Sequence, residues 1–407
     1  MSFETYRREN VYGEVLYNTA REFFTPLQGE EKYQTEGFKE IALIYGTVEE
    51  SFRKASALIN RVRHQEKGGT PFRTVRDSVD REGHLLQKHL VEKSSAIFKE
   101  NGFTPEGYPK ETITDIVTPT TLILEAEDLE EIIVNDSLFK SYETEMLSNP
   151  VPYEDVKSSV NISVDDVGAK KQKENRDAQC DDPRPKNKRV YVQNTVIHVE
   201  KGGESYRLNG YGALSVLRLL LSFLLYNDLL SSRLIFFVDG HSFYSMVVEF
   251  FSWHKHLTLI LDWYHLKKKC KELLSMAMKG REIRNGVLEK LMPFLWHGLV
   301  DQAVIYLKSL PESEIKNEEE RLHLINYLTK NRPMIPVYAV RKALGLRNSS
   351  NRGEKANDLI VASRQKHNGM SWSKSGSVSL ASVTALKQNK EYKKWFRERK
   401  IEFKLAS

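Results

Sequence analysis

Residues 234–240 read Leu-Ile-Phe-Phe-Val-Asp-Gly, and this stretch decides the fold. Its five consecutive apolar residues predict a short strand that is buried on both faces of a sheet. Two further apolar runs have the same character, Val-Asn-Ile-Ser-Val at 160–164 and Leu-Thr-Leu-Ile-Leu at 257–261, and an aspartate directly follows each run. Because ligand sites in open α/β sheets gather at the carboxyl ends of strands, these aspartates are expected near one cleft.

The segments around these runs complete the pattern of a layered α/β domain. Val190–Val199 predicts a long strand, the pair Gly202-Gly203 predicts a hairpin turn, and Glu204–Leu208 predicts the returning strand. Helices are expected at about 211–230 and 241–254. The order strand, hairpin, helix, strand, helix, strand favours an α/β fold with a mixed sheet and flanking helices.

Helical periodicity dominates on both sides of this domain. Residues 1–150 are predicted to be mostly helical, with helices at Tyr12–Phe24 and Phe38–Val62. Residues 267–345 show only helical patterns and are interpreted as an all-α insertion, after which the α/β domain resumes near Asn348. The predicted units are a helical N-terminal region at 1–150, the α/β domain at 155–266 together with 346–375, the insertion at 267–345 and a basic helical tail at 376–407.

The segment 45–90 has the outline of a helix-turn-helix. Val48–Val62 is amphipathic, the Gly-containing loop 64–69 follows, and Thr70-Pro71 can cap and begin a second helix. The loop is longer than the usual three or four residues, and a plain helical hairpin fits the same pattern. The basic side chains of this region that are expected to bind DNA are Arg53, Lys54, Arg73 and Arg76.

The composition permits an anionic partner. Lys and Arg number 61 against 55 Asp and Glu, a formal net charge of +6.

The chain has two cysteines and no Cys-x-x-Cys or Cys/His cluster, which argues against a structural zinc site and for a reducing cytosol. The N-terminus has no signal-peptide core, and polar residues break the apolar stretch Leu214–Leu230, so no membrane segment is expected. Further basic residues expected to meet DNA phosphates are Lys170, Lys171 and Lys173, in the polar loop 170–189, and Arg364 and Lys366.

Three acidic residues are candidate ligands for a pair of divalent cations. Asp165 and Asp239 end two of the predicted strands, and Glu354 opens a predicted helix. Hard cations that act on a phosphodiester need oxygen ligands from separate elements that meet at one point, which such positions provide. Strand alternation puts Asp165 and its neighbour Asp166 on opposite faces, and both stay candidates for the first ligand.

Each candidate also has a structural interpretation. Asp165 and Asp166 could simply solvate the end of their strand. An Asp-Gly pair after a strand is often a turn, which would account for Asp239. Asn351 and Glu354 have the spacing of a helix capping box. The accessory candidates for the same cleft are Asp166, Asp262, His265 and Asn357.

The order of these motifs resembles that of bacterial DDE transposases with a ribonuclease-H-like core, in particular the Mutator-like and ISLre/ISKra-type insertion-sequence enzymes. Glu354-Lys-Ala-Asn-Asp-Leu-Ile-Val, followed by Arg364-Gln-Lys-His-Asn-Gly-Met-Ser-Trp, is similar to their signature of a glutamate, an asparagine, Arg-x-Lys and Gly-Met-x-Trp. Val238-Asp-Gly and Leu261-Asp-Trp-Tyr-His look like their second aspartate and the Asp/Cys-x-x-His motif that follows it. Val164-Asp-Asp looks like their first aspartate strand.

The resemblance covers roughly residues 155–375, with a looser match at about 45–90. This chain departs from the family in the lead Asn348–Gly353 before the glutamate and in lacking the zinc-binding N-terminal module of some relatives. The second departure means that another surface must recognise the DNA ends.

The resemblance implies a DNA transposase that cuts transposon ends and transfers the cut strands into target DNA. It implies Asp165, Asp239 and Glu354 as ligands of two Mg²⁺ ions, for which Mn²⁺ can substitute, with Asp262 and His265 as accessory residues. The expected partners are double-stranded DNA, as terminal repeats and target, and further copies of the chain in a homodimer or higher homo-oligomer. The expected location is the cytoplasm, at the nucleoid. Two alternatives stay open: a catalytically inactive or domesticated DNA-binding relative, and a stand-alone ribonuclease-H-like nuclease.

Overall fold

A mixed sheet positions the candidate residues in the computed structural model, which describes residues 6–10, 13–17, 35–64, 69–112, 121–133, 137–172, 190–240 and 243–405. The strands are β1 Tyr6–Asn10, β2 Gly13–Tyr17, β3 Thr121–Leu122, β4 Tyr153–Glu154, β5 Ser159–Lys170, β6 Tyr191–Lys201, β7 Glu204–Tyr211, β8 Arg233–Val238 and β9 Leu257–Leu261. The larger sheet has five strands in the order β7-β6-β5-β8-β9. Its β5–β6 and β6–β7 pairs are antiparallel, whereas β5–β8 and β8–β9 are parallel.

Helices surround this sheet. They are α1 Glu36–Val48, α2 Phe52–Val62, α3 Phe72–Glu100, α4 Ala126–Ile132, α5 Ser137–Leu147, α6 Ala213–Tyr226, α7 Phe243–Phe250, α8 Trp263–Ala277, α9 Arg281–Trp296, α10 Val300–Lys308, α11 Glu318–Asn331, α12 Tyr338–Ala343, α13 Asn351–Asn357, α14 Ser363–Gln365, α15 Lys374–Gln388 and α16 Tyr392–Glu398. Short 3-10 turns occur at Glu312–Glu314 and Arg332–Met334, and a π-helical turn at Asp358–Ala362. The structure is therefore mixed α/β, as predicted, and compatible with a ribonuclease-H-like core.

Strand β5 is longer than its apolar run predicts. The run ends at Val164, but β5 continues to Lys170 because β6 pairs with it as far as Tyr191. The parallel partner β8 stops earlier, at the pair Ser163–Phe237. Apolar residues mark only the part of β5 that has neighbours on both sides, so its polar extension was not predicted.

The two faces of the sheet are covered by different helices. Helix α6 packs on one face, where Tyr206 stacks on Phe223 with the ring centroids 4.6 Å apart. Helices α13 and α15 pack on the other face. A Cβ atom at Gly353 of α13 would lie 2.5 Å from the Cβ of Ser163, so only glycine allows α13 to approach β5 this closely.

The N-terminal region is less helical than predicted. Residues 13–17 of the predicted helix Tyr12–Phe24 form β2, which pairs with β1 as an antiparallel hairpin. Val15 and Tyr17 favour a strand, and the partner strand outweighs the helical spacing. The rest of that predicted helix, residues 18–24, lies outside the described residues. The predicted helices around the Gly-containing loop are present as α2 and α3.

The predicted boundary of a separate C-terminal tail at residue 376 falls inside α15. Residues 376–386 of this helix are all buried. Helix α15 lies between α3 and the sheet, and a Cβ at Gly83 of α3 would lie 2.5 Å from the backbone of Ser379. This correction has a simple cause: the Ser- and Ala-rich sequence of α15 reads as weakly amphipathic, although small side chains are what a central, closely packed helix requires.

The helical character predicted for residues 267–345 is present, as α8 to α12. They form a helical segment, residues 263–343, that begins directly after β9. Within the described residues, no helix has both the length and the apolar character needed to cross a membrane.

Candidate active site

Three aspartates meet at one edge of the sheet, where β8 and β9 end. Ser163 pairs with Phe237, and Asp165 and Asp239 each follow two residues later, so both lie on the same face. Val238 pairs with Leu261, and the backbone amide of Asp262 donates to the carbonyl of Val238 at 2.8 Å. The parallel strands therefore bring the side chains of Asp165, Asp239 and Asp262 together where β8 and β9 end, as the three apolar runs predict.

The structure separates Asp165 from Asp166. The carboxylate of Asp165 accepts a hydrogen bond from the side-chain amide of Asn357, which is on α13. Asp166 is on the opposite face and accepts a 2.5 Å hydrogen bond from the hydroxyl of Thr195. Asp165 is thus the member of the pair that faces the other candidate residues.

Glu354 is held at this edge by the way α13 begins. The helix begins at Asn351, so Ser350 rather than Asn351 is its N-cap, and the capping box suggested by Asn351 and Glu354 is not formed. The carboxylate of Glu354 is 40% exposed, and its Oε1 lies 3.7 Å from Nε2 of His265. Its side chain is therefore free of a capping role and directed into the cleft.

Asp262 fastens two helices to each other. Its Oδ1 accepts a hydrogen bond from the backbone amide of His265 at 2.8 Å and so caps α8. Its Oδ2 accepts from the hydroxyl of Ser350 at 2.9 Å and from the Ser350 backbone amide. Asp262 is only 1% exposed. Burial alone would raise the pKa of Asp262, but the hydrogen bonds from His265 and Ser350 outweigh it and lower the pKa below its ordinary value.

His265 lies among the carboxylates. Its Nδ1 is 3.2 Å from Oδ1 of Asp262. The interaction with Asp262 raises the pKa of His265, and the charges of Glu354 and Asp239 raise it further against the effect of burial. Desolvation by the surrounding protein raises the pKa of Asp165 although the residue reaches the surface, and the charge of Asp239 raises it further. The charges of Asp262, Glu354 and Asp239 thus act together on His265, and that of Asp239 also acts on Asp165.

The donor atoms of this cleft fit a hard divalent cation. Within the described parts of the chain, no group of three His, Cys, Asp or Glu side chains is placed so that it could hold a metal ion as it stands. The chemistry of the donors nevertheless suits Mg²⁺ or Mn²⁺, because Asp165, Asp239 and Glu354 all offer carboxylate oxygens. In addition, Oδ1 of the buried Asn357 has no hydrogen-bond partner among the described residues. Asp262 differs from these residues, since both of its oxygens are already engaged in protein hydrogen bonds.

The predicted DNA contacts divide into surface and buried residues. Those with exposed side chains are Arg53, Lys54, Arg73, Arg76, Lys170 and Lys366, whereas Lys171 is half-buried and Lys173 lies outside the described residues. Arg364 is corrected to a structural role, because it is 3% exposed. It donates to the carbonyls of Gly46 and Glu50 and stacks on Phe52 and Trp372, and so fastens α1 and α2 to the C-terminal part of the chain.

Sequence reasoning missed two residues at the edge of the cleft. Ser350 binds Asp262, but it was considered only as part of the lead into the glutamate helix. Tyr327, on α11, places its hydroxyl against Gly240, next to Asp239. Nothing in the helical spacing of α11 distinguishes this tyrosine from other core residues, so no local signal would have found it.

No family model matches the chain, and no curated protein matches it. Among solved structures, the chain is similar to the Drosophila P element transposase strand transfer complex, with a TM-score of 0.26 and 9% sequence identity over 95% of this chain and 87% of that chain. A TM-score this low does not establish a shared fold, and this likeness supports no argument about function.

Proposed function

We propose that the chain is a DNA transposase, a polynucleotidyl transferase that cuts DNA at the ends of a mobile element and joins the freed 3′ ends to target DNA. In this proposal the sheet is a ribonuclease-H-like core and the helical segment 263–343 is inserted into it. One observation carries the proposal: Asp165, Asp239 and Glu354, which come from two adjacent parallel strands and a helix far along the chain, converge around His265.

Asp165, Asp239 and Glu354 would hold two Mg²⁺ ions, or Mn²⁺ in their place. When bound, such ions activate the attacking oxygen and stabilise the leaving oxygen of an in-line displacement at phosphorus. The chain itself contributes positioning. Asn357 orients the carboxylate of Asp165, Asp262 fixes the start of the Glu354 helix, and each contact is a hydrogen bond in the structure.

Two displacements follow from this arrangement. In the first, water attacks the phosphorus at the element's end, the bond from phosphorus to the 3′ oxygen breaks, and a free 3′-hydroxyl remains. In the second, that hydroxyl loses its proton and attacks a phosphodiester of the target, which releases the target's own 3′ oxygen. Both steps need aligned reactants and neutralised charge rather than a covalent enzyme intermediate.

The exposed basic residues of α2 and α3 provide a surface for the DNA ends. Arg53 and Lys54 lie on α2, and Arg73 and Arg76 lie near the start of α3. Contacts of lysine and arginine with phosphates release counterions, so the affinity of this surface for DNA should fall steeply with salt.

The test is a strand-transfer assay with the full chain. Labelled duplex DNA, taken from either side of the chain's own coding sequence, is incubated with Mg²⁺ and a supercoiled plasmid. The proposal expects labelled DNA joined to the plasmid, and it expects Asp239→Asn and Glu354→Gln each to lower the yield at least about 100-fold. Asp301→Asn is the matched control, because Asp301 lies in an exposed ion pair with Arg332, on other elements.

The products separate the alternatives. Cut ends without joined product would indicate a stand-alone nuclease. DNA binding with neither product, unchanged by Glu354→Gln, would indicate a non-catalytic DNA-binding protein and overturn the proposal.

A further inference from the structure

The helical segment 263–343 reaches the turn that carries Asp239 through one side chain, Tyr327. The backbone of Gly240 has a φ of +82°, a conformation that favours glycine. A Cβ atom at Gly240 would lie 2.9 Å from the hydroxyl oxygen of Tyr327 and 3.1 Å from its Cε2. Gly240 is therefore required both by its backbone conformation and by the close approach of the tyrosine.

The hydroxyl of Tyr327 is buried at this contact. It has no hydrogen-bond partner among the described residues. Burial raises the pKa of Tyr327, and neighbouring groups, Asp239 and Asp262 among them, raise it further. A buried hydroxyl without an acceptor is costly, and a phenylalanine would fill the same space without that cost. Packing alone therefore does not explain why residue 327, beside the Asp239–Gly240 turn, is a tyrosine rather than a phenylalanine.

We propose that Tyr327 is a positioning residue for Asp239, which makes the helical segment a structural part of the divalent-cation site. With a cation bound at Asp239, the unpartnered hydroxyl beside the Asp239–Gly240 turn would donate to the Asp239 carboxylate and fix its orientation. This inference rests on the proposed function, since it assumes that Asp239 binds a divalent cation. Carboxylates that bind metal ions are commonly oriented by such a hydrogen bond from a neighbouring side chain.

Binding of Mn²⁺ to the full chain without DNA tests this role directly. Calorimetric titration would compare the wild type with Tyr327→Phe, which keeps the ring and removes the hydroxyl. We expect Tyr327→Phe to weaken Mn²⁺ binding about tenfold, with a melting temperature no lower than that of the wild type. Tyr306→Phe is the matched control, because Tyr306 lies in α10 of the same segment and packs against Phe294. It should bind Mn²⁺ as the wild type does.

A second variant tests the contact with the turn. Gly240→Ala should weaken Mn²⁺ binding through both the strained backbone and the collision with the Tyr327 hydroxyl. Adding Tyr327→Phe removes the closer of the two collisions. The double variant should therefore bind Mn²⁺ at least as tightly as Gly240→Ala alone, although each single substitution weakens binding.

The outcomes distinguish this inference from the proposed function. If the wild type binds Mn²⁺, Asp239→Asn abolishes the binding and Tyr327→Phe behaves like Tyr306→Phe, then Tyr327 has no positioning role and the proposed function stands. If the wild type binds no Mn²⁺ and Asp239→Asn changes nothing, both the cation site and the role of Tyr327 are refuted.

Discussion

Replacing Asp262 by alanine should lower the free energy of unfolding more than replacing any exposed residue does. The carboxylate caps α8 and accepts two hydrogen bonds from Ser350. Loss of an N-cap side chain costs about 1 kcal/mol, and a hydrogen bond to a charged group contributes about 1.5–3 kcal/mol. These contributions overlap because they share one carboxylate. We therefore expect Asp262→Ala to lower the free energy of unfolding by about 3–5 kcal/mol.

The amide variant Asp262→Asn should fall between alanine and the wild type. Its oxygen can still accept from the backbone amide of His265 and cap α8. Its side-chain NH₂ group then faces the backbone amide of Ser350, where two donors meet. The start of α13 should therefore loosen while α8 stays capped, and Mn²⁺ binding should weaken more than the unfolding free energy suggests.

Urea denaturation measures the first of these effects, with tryptophan fluorescence as the signal. Trp263 begins α8 and packs against Trp296 with the ring centroids 4.7 Å apart, so it reports on the region around Asp262. The control is Asp301→Ala, which breaks an exposed ion pair with Arg332 and should cost at most about 1 kcal/mol. If Asp262→Ala also costs less than about 1 kcal/mol, Asp262 does not hold the two helices together.

Three further predictions concern the rest of the chain. Burial and nearby arginines lower the pKa of His198 to about 4 from its ordinary 6.5, so the unfolded chain binds the proton first as the pH falls. The free energy of unfolding should thus decline between pH 6.5 and 4 by up to about 3 kcal/mol, and His198→Gln should flatten that decline in urea titrations at stepped pH. Gly83→Ala should destabilise by about 1–3 kcal/mol through collision with α15, whereas Gly286→Ala, inside α9 with open space around it, should stabilise by up to about 1 kcal/mol in the same denaturation assay. Arg364→Met should lower the melting temperature and leave the salt dependence of DNA binding unchanged, whereas Lys366→Met should reduce the salt slope without lowering the melting temperature; the reverse pattern would contradict the buried role of Arg364.

The sequence predicts the structure correctly where the local pattern of residues and their burial coincide. The apolar runs before Asp165, Asp239 and Asp262 are strands in the structure, because a strand buried in the middle of a sheet leaves a continuous apolar signal. The chain forms the hairpin strands β6 and β7 and helix α6 between β5 and β8, and helix α7 between β8 and β9, and these connections make the three strands parallel. Alternation along β5 was also enough to place Asp165 and Asp166 on opposite faces.

What the sequence did not predict depends on contacts between distant segments. Arg364 reads as a surface cation in a basic stretch, but its partners are backbone carbonyls more than 300 positions earlier in the chain. Tyr327 reads as one more residue of an amphipathic helix, and only the packing of α11 beside the end of β8 gives it a place near Asp239. The burial of α15 was not predicted because its small side chains give a weak hydrophobic signal.

The candidate residues also build the scaffold that positions them. Helix α13 has no side-chain capping bond, and it continues through the π-helical turn Asp358–Ala362 into α14. A helical run of this length, residues 351–365, is only marginally stable alone. Its position depends on the contact of Gly353 with Ser163, on the bonds of Ser350 with Asp262, and on the bond between Asn357 and Asp165. Two of these three supports use carboxylates of the cleft itself.

A loss of activity in an alanine variant of Asp165 would therefore combine a missing cation ligand with a displaced Glu354. Asp165→Asn keeps an oxygen for the amide of Asn357 and removes only the charge. A large loss of cation binding in Asp165→Asn, with an unchanged melting temperature, would accordingly assign Asp165 to the chemistry of the cleft rather than to its architecture.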